Sequence, residues 1–126
     1  MRLGCVTLTS RDASAHADFY RKLLGWEIRF ENISDGFKFV GIVGDTHGRI
    51  LFQEDDDYVE AVWPTEPGKQ QMQMHLDFHT DDLERDAAHA LACGAKLADT
   101  QYSEKWRIFI DPAGHPFCIE QMPDHH

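Results

Sequence analysis

No apolar run in this 126-residue chain approaches the ~20 residues needed to cross a bilayer, so the sequence predicts no membrane span. Cysteine is scarce. Cys5, Cys93 and Cys118 are the only three, they form no CxxC, and an odd number cannot all pair, which points to a reducing compartment with the cytoplasm as default. The opening Met1-Arg2-Leu3-Gly4-Cys5 has one basic residue but neither an apolar core nor a small-residue cleavage site, so no secretory signal is expected. Basic residues are few: 12 Lys and Arg stand against 22 Asp and Glu, a formal charge of −10. Such a surface repels phosphate backbones and anionic membranes, which excludes nucleic acid as an expected partner, and it steers cationic ligands inward. Acidity of this size also serves plain solubility. Nucleotide loops (GxGxxG, GxxxxGK[ST]), a GxSxG elbow and an HExxH helix are all missing, and scattered Ser, His and Asp residues make no triad. What is present, 42% hydrophobic and 27% charged residues, is the composition of one globular domain with a real core. Only Pro123 to His126 are expected to be disordered.

The same plan is written twice. Leu3 to Thr9 alternates, with Val6 and Leu8 on one face and Cys5, Thr7 and Thr9 on the other. Residues 74–79 repeat it, with Leu76 and Phe78 opposite His75, Asp77 and His79. Each strand runs into a helix-cap signal, Ser10 or Asp12 first and Thr80 or Asp81 second. Ala15, Phe19, Tyr20 and Leu23 lie at helical spacing in the first half; Leu83, Ala87, Ala90 and Leu91 do so in the second. Phe19, Tyr20, Leu23 and Leu91 are assigned to the core. Both helices stop at a glycine, Gly25 and Gly94, and strand character resumes at Trp26 to Phe30 and at Ala95 to Leu97. Phe37 to Val43 and Arg49 to Gln53 follow, separated by a turn over Gly44 to Gly48. Trp106 to Ile110 and Pro116 to Gln121 flank Asp111-Pro112-Ala113-Gly114, whose Asp, Pro and Gly sit where a type I turn favours them. Pro64 to Gly68 reads as a linker. The expected fold is α+β: two tandem βαβββ modules, about 1–63 and 73–122 joined by 64–72, forming one domain. Helices cover one sheet face, and the curved mixed sheets leave the other as a cup for a small molecule.

Several residues on that free face carry chemistry. His75, Asp77 and His79 form a row that offers proton transfer near neutral pH; the plainer alternative is a hydrogen-bonded pocket histidine beside a structural acceptor. Glu120 is either a further carboxylate of the site or a polar strand end. Trp63, Tyr102 and Trp106 lie near strand ends and loops, and Trp106, alternating with Ile108 and Ile110, is either core or cup wall. Glu54 to Asp57 with Glu60 form an acidic stretch, a solvated loop or a rim that attracts a cation.

Asp18-Phe19-Tyr20-Arg21-Lys22-Leu23-Leu24-Gly25-Trp26, His75-Leu76-Asp77 and Asp111-Pro112-Ala113-Gly114-His115-Pro116-Phe117 together resemble the glyoxalase/bleomycin-resistance/dioxygenase superfamily, the vicinal oxygen chelate proteins. The resemblance covers nearly the whole chain. It implies a paired βαβββ fold, a homodimer, and a cup that in many members holds a divalent metal. It implies functions from lyase, isomerase and dioxygenase chemistry to metal-free antibiotic binding. The superfamily's four metal-ligand positions fall on Cys5, Gln53, His75 and Cys118, and only His75 keeps its type. A hard octahedral ion wants imidazole, carboxylate and water, so no family metal or other cofactor is expected. Were a metal bound, His75 with Cys5, Gln53 and Cys118 would be the set, and zinc the ion that accepts it. The expected function is therefore small-molecule binding without the family metal, with an antibiotic among the candidate ligands. The ligand-binding residues would be Cys5, Thr7, Gln53, His75, Asp77, His79, Trp106, Cys118 and Glu120. The alternative is a lyase, isomerase or dioxygenase acting through His75, with or without a divalent metal, and with Asp77 and Glu120 as the other catalytic candidates.

Overall fold

The computed structural model describes residues 1–44 and 48–122. The chain divides into two compact units, Met1–Val59 and Glu60–His126. The first contains β1 (Val6–Ser10), α1 (Ala13–Leu24), β2 (Glu27–Ser34), β3 (Phe37–Val43) and β4 (Arg49–Glu54). The second contains β5 (Leu76–Thr80), α2 (Leu83–Cys93), β6 (Lys96–Leu97), β7 (Trp106–Ile110) and β8 (Pro116–Gln121). Each is a βαβββ module with a four-stranded mixed sheet, in the orders β1-β4-β3-β2 and β5-β8-β7-β6. In each, the first strand pairs in parallel with the last, Leu8 opposite Phe52 and Phe78 opposite Ile119, and the other neighbours are antiparallel. Parallel strands need a long crossover rather than a tight turn, and in each module the helix and the two middle strands supply it.

The duplication extends to individual hydrogen bonds at the helix starts. Asp12 and Asp82 are the N-caps, accepting from the backbone N–H of Ala15 and Arg85 at 3.0 Å each. One residue into each helix, the N–H of Ala13 donates to Glu54 Oε1 (3.1 Å) and that of Leu83 to Gln121 Oε1 (2.8 Å), so the last strand holds the helix that follows the first. The hydroxyls of Ser10 and Thr80 accept from the N–H groups of Asp12 and Asp82. The expected cap at Thr80 or Asp81 is thus corrected to Asp82; Thr80 instead holds the cap's own N–H and donates to Asp86. Gly25 (φ 70°) and Gly94 (φ 116°) end the helices in the left-handed region, where a Cβ would be strained.

Aromatic and aliphatic side chains fill the helix-facing side of each sheet. Tyr20 and Phe52 stack at 5.6 Å in the first unit, and Phe109 and Phe117 at 5.5 Å in the second. Phe19 and Tyr20 are buried as expected, and Leu23 is half-buried. Ala15 and Leu91 are not core: Ala15 is exposed and Leu91 keeps 47% of its surface. The buried stripes run through Ala13, His16, Ala17, Phe19 and Tyr20 and through Leu83, Ala87 and Ala90, so Phe19, Tyr20, Leu83, Ala87 and Ala90 lie on the expected faces and Ala13, His16 and Ala17 extend the first. Strand bounds move by a few residues: β1 starts at Val6, β2 runs to Ser34, and β6 shrinks to Lys96–Leu97. Gly44 N–H donates to Gly48 O at 3.0 Å, and the Trp26 ring lies where a Cβ at either glycine would stand, within 2.6 Å. Asp45 to His47 of the expected turn, and Pro123 to His126, lie outside the described residues. The Asp111–Gly114 turn closes as predicted, Gly114 N–H to Asp111 O at 2.9 Å.

Candidate functional site

In the second unit, pleating puts Phe78, Phe117, Ile119 and Phe109 toward α2, leaving a chemically richer set on the opposite face. His75 directly precedes β5, and Asp77 and His79 continue its row. Parallel register sets Asp77 beside Cys118 and His79 beside Glu120; antiparallel register sets Ile108 beside Cys118 and Trp106 beside Glu120. Two histidine–carboxylate pairs result. His75 Nε2 lies 3.2 Å from Asp77 Oδ1, and His79 Nε2 lies 3.6 Å from Glu120 Oε2. Between them, one ligating atom each from His75, Asp77 and Cys118 lie within 4.8 Å of one another.

Cys118 is half-buried and hydrogen-bonded to Asp77. Burial above all, then the neighbouring charge of Asp77 and more weakly Glu120, pushes its thiol up to about 11. Without a cation nearby it is a neutral thiol, not a nucleophile.

The polar row opens onto two adjoining hollows. One, about 250 Å³, is lined by His75, Asp77, Trp106, Cys118 and Glu120. The other, about 140 Å³, shares His75, Trp106 and Cys118 and is otherwise apolar, walled by Trp63, Met72, Tyr102 and Ile108 among others. Tyr102 and Trp106 stand 6.2 Å apart, ring centre to ring centre, forming an aromatic wall. The Trp106 alternatives resolve toward cavity wall. Met72 was not anticipated; it falls in a segment without periodicity, and no sequence signal marked it.

The first unit holds the remaining predicted residues. Cys5, just ahead of β1, is exposed and lies 4.0 Å from the Thr7 hydroxyl. Gln53, half-buried on β4, sits beside Thr9 and Phe39 on the same sheet face. Cys5 borders a hollow of about 660 Å³ with Arg29, Phe30, Arg49 and Leu51, and the Phe30 ring occupies the space a side chain at Gly41 would need. Of the acidic stretch, Glu54 is committed to the start of α1, Asp55 accepts from the Asp57 N–H, and Glu60 lies against Gly114 in the second unit.

The donor set that converges is therefore His75, Asp77 and Cys118, one nitrogen, one carboxylate oxygen and one sulfur. A hard ion of the Mn²⁺ or Mg²⁺ kind prefers an oxygen-rich octahedral shell and does not displace a thiol proton, so these residues do not fit it.

The sequence profile of the glyoxalase-like domain family matches residues 5–120. A comparison with curated protein sequences finds no match. Among solved structures, the chain is similar to a glyoxalase family protein of Enterococcus faecalis (18% identity, TM-score 0.72, 94% of this chain and 96% of that one). It is also similar to a mutant of the fosfomycin resistance protein FosX of Listeria monocytogenes, solved with Mn(II) and a dihydroxypropylphosphonic acid (16% identity, TM-score 0.70, 95% and 89%). A third likeness is to TnmS3, an antibiotic-binding protein of Streptomyces sp. CB03234 (14% identity, TM-score 0.63, 95% and 94%). At these identities the likeness is one of fold.

Proposed function

Since the chain belongs to the glyoxalase-like domain family, within the vicinal oxygen chelate superfamily, we propose that it is a small-molecule binding protein that works without the hard divalent metal of its enzymatic relatives. The ligand class that fits is an organic cation with an apolar, partly aromatic body, a description that basic antibiotics meet. One observation carries this reading. The aromatic wall of Trp63, Tyr102 and Trp106 meets a floor bearing two carboxylates, Asp77 and Glu120, whose nearest basic side chains are histidines at 3.2 and 3.6 Å rather than Lys or Arg. Apolar walls bind the body of a ligand, cation–π contact with Trp106 adds to them, and the carboxylates select its charge. The fold likeness to an antibiotic-binding protein is consistent with such a role.

The test is a thermal-shift and calorimetric screen of cationic, neutral and anionic aromatic compounds on chelator-treated protein. Cationic members should stabilise the fold, and the shift should shrink with salt. Asp77→Asn and Glu120→Gln should each weaken binding by about tenfold, the cost of losing a charge-assisted hydrogen bond of about 1.5 kcal/mol. A screen in which anionic compounds bind best, or in which both variants bind as the unmodified chain does, counts against the reading.

A second reading has a specific observation behind it. The 3.2 Å His75–Asp77 pair holds an imidazole at the hollow, as general acid–base catalysis requires, with Glu120 lining the same hollow. A lyase or isomerase using His75 would convert its ligand. Mass spectrometry of bound compounds after prolonged incubation separates the cases: products that vanish in His75→Ala favour the enzyme, and ligand recovered intact favours the carrier.

A further inference from the structure

We propose that His75, Asp77 and Cys118 form a binding site for a thiophilic divalent cation, zinc being the representative ion. The superfamily positions spread their four donors over Cys5, Gln53, His75 and Cys118, and two of those lie in the first unit. The three atoms that do converge belong to the second unit alone, and Asp77 is outside the superfamily's set.

The geometry suits the ion. Zinc bonds of about 2.0–2.3 Å at tetrahedral angles place neighbouring donors roughly 3.3–3.8 Å apart. His75 Nε2 and Asp77 Oδ1 already stand 3.2 Å apart, and all three donors lie within 4.8 Å, so side-chain rotation of about 1 Å closes the set. The donors sit on or next to paired strands, Asp77 directly opposite Cys118, so the backbone fixes two of the three positions. One imidazole, one carboxylate and one thiolate match the nitrogen, oxygen and sulfur preferences of zinc. On binding, the S–H bond of Cys118 breaks, its proton passes to solvent and the S–Zn bond forms. Zinc's two charges are then balanced by one carboxylate and one thiolate. The hollow these donors line also bears Trp106 and Glu120; Glu120 is not among the three, so the proposal stands apart from the identity of an organic ligand.

The experiment uses the full chain stripped with chelator and dialysed. Zinc is titrated against a chromophoric competitor, and Co²⁺ is added separately as a spectroscopic probe. One equivalent of zinc is expected, bound at least tenfold more tightly than Mn²⁺. Co²⁺ should give a sulfur-to-metal charge-transfer band and the intense visible bands of four-coordinate cobalt. Cys118→Ser should abolish the charge-transfer band, and Asp77→Asn should weaken zinc at least tenfold while keeping the band. Cys5→Ser, Cys93→Ser and Gln53→Ala should change neither, with circular dichroism verifying that each variant is folded. A band that survives Cys118→Ser, a band that Cys5→Ser removes, equal affinity for Mn²⁺, or less than a tenth of an equivalent of zinc bound would each overturn the site. The organic-ligand screen is run on metal-free protein, so it stands or falls separately.

Discussion

Cys118 and Asp77 meet because two strands some forty residues apart run parallel in a fixed register. The meeting has a cost that can be measured. The folded chain keeps the Cys118 proton up to about pH 11, against an ordinary value of 9.0, because burial and the Asp77 charge disfavour the thiolate. The unfolded chain gives that proton up first, so the folded state is favoured below pH 9 and loses stability as pH climbs from 9 to about 11. Chemical denaturation across that range should show the decline in metal-free protein, and Cys118→Ser should flatten it. In the same protein at pH 8, iodoacetamide should modify exposed Cys5 well before Cys118, as peptide mapping would reveal; the reverse order would contradict the assigned environment.

At the scale of elements, the matched bonds at the two helix starts differ in one chemical respect. Glu54 presents a charged acceptor to the first N–H of α1, whereas Gln121 presents a neutral amide to α2 and also donates to Asp81 O at 2.7 Å. Replacing either with Ala should cost about 0.5–2 kcal/mol in denaturant titrations, the usual worth of a lost helix cap. The Glu54→Ala cost should shrink in high salt, because part of it is attraction to the helix dipole, and the Gln121→Ala cost should not. The element order, the glycine stops and the Asp111–Gly114 turn were all legible in the sequence, since each rests on local spacing or on a residue with one backbone use. The edge of the buried stripe on α1 was less so: Ala15 and Ala17 are chemically alike, and only packing on the sheet decides which is buried. The candidate site was half legible. Alternation placed His75, Asp77 and His79 on one face and Cys118 with Glu120 on another strand's, but the register that pairs Asp77 with Cys118 is a long-range fact that no local pattern records. The metal donors were therefore named by resemblance, as Cys5, Gln53, His75 and Cys118, with Glu120 as the candidate further carboxylate, whereas the one that stands beside His75 and Cys118 is Asp77.

For the whole molecule, β2 is the element on which the expected homodimer can be tested. It ends its sheet, all eight of its residues are exposed, and Ile28 and Ile33 keep 43% and 77% of their surface. An edge strand leaves backbone groups unpaired, and the homodimer that the family resemblance implies predicts that a second copy covers Ile28, Phe30 and Ile33. Sedimentation equilibrium should give twice the 14.5 kDa of one chain, and Ile33→Lys should return it to one; an unmodified chain that stays single at high concentration would remove the dimer. The three tryptophans divide between the units in a useful way. Trp26 is clamped over Gly44 and Gly48 in the first, while Trp63 and Trp106 wall the hollow in the second. Their emission therefore carries its own internal standard: a quencher entering the hollow dims two fluorophores and spares the third, so in a Trp26→Phe chain the fractional signal of binding should grow, and loss of order in either half can be followed optically on its own.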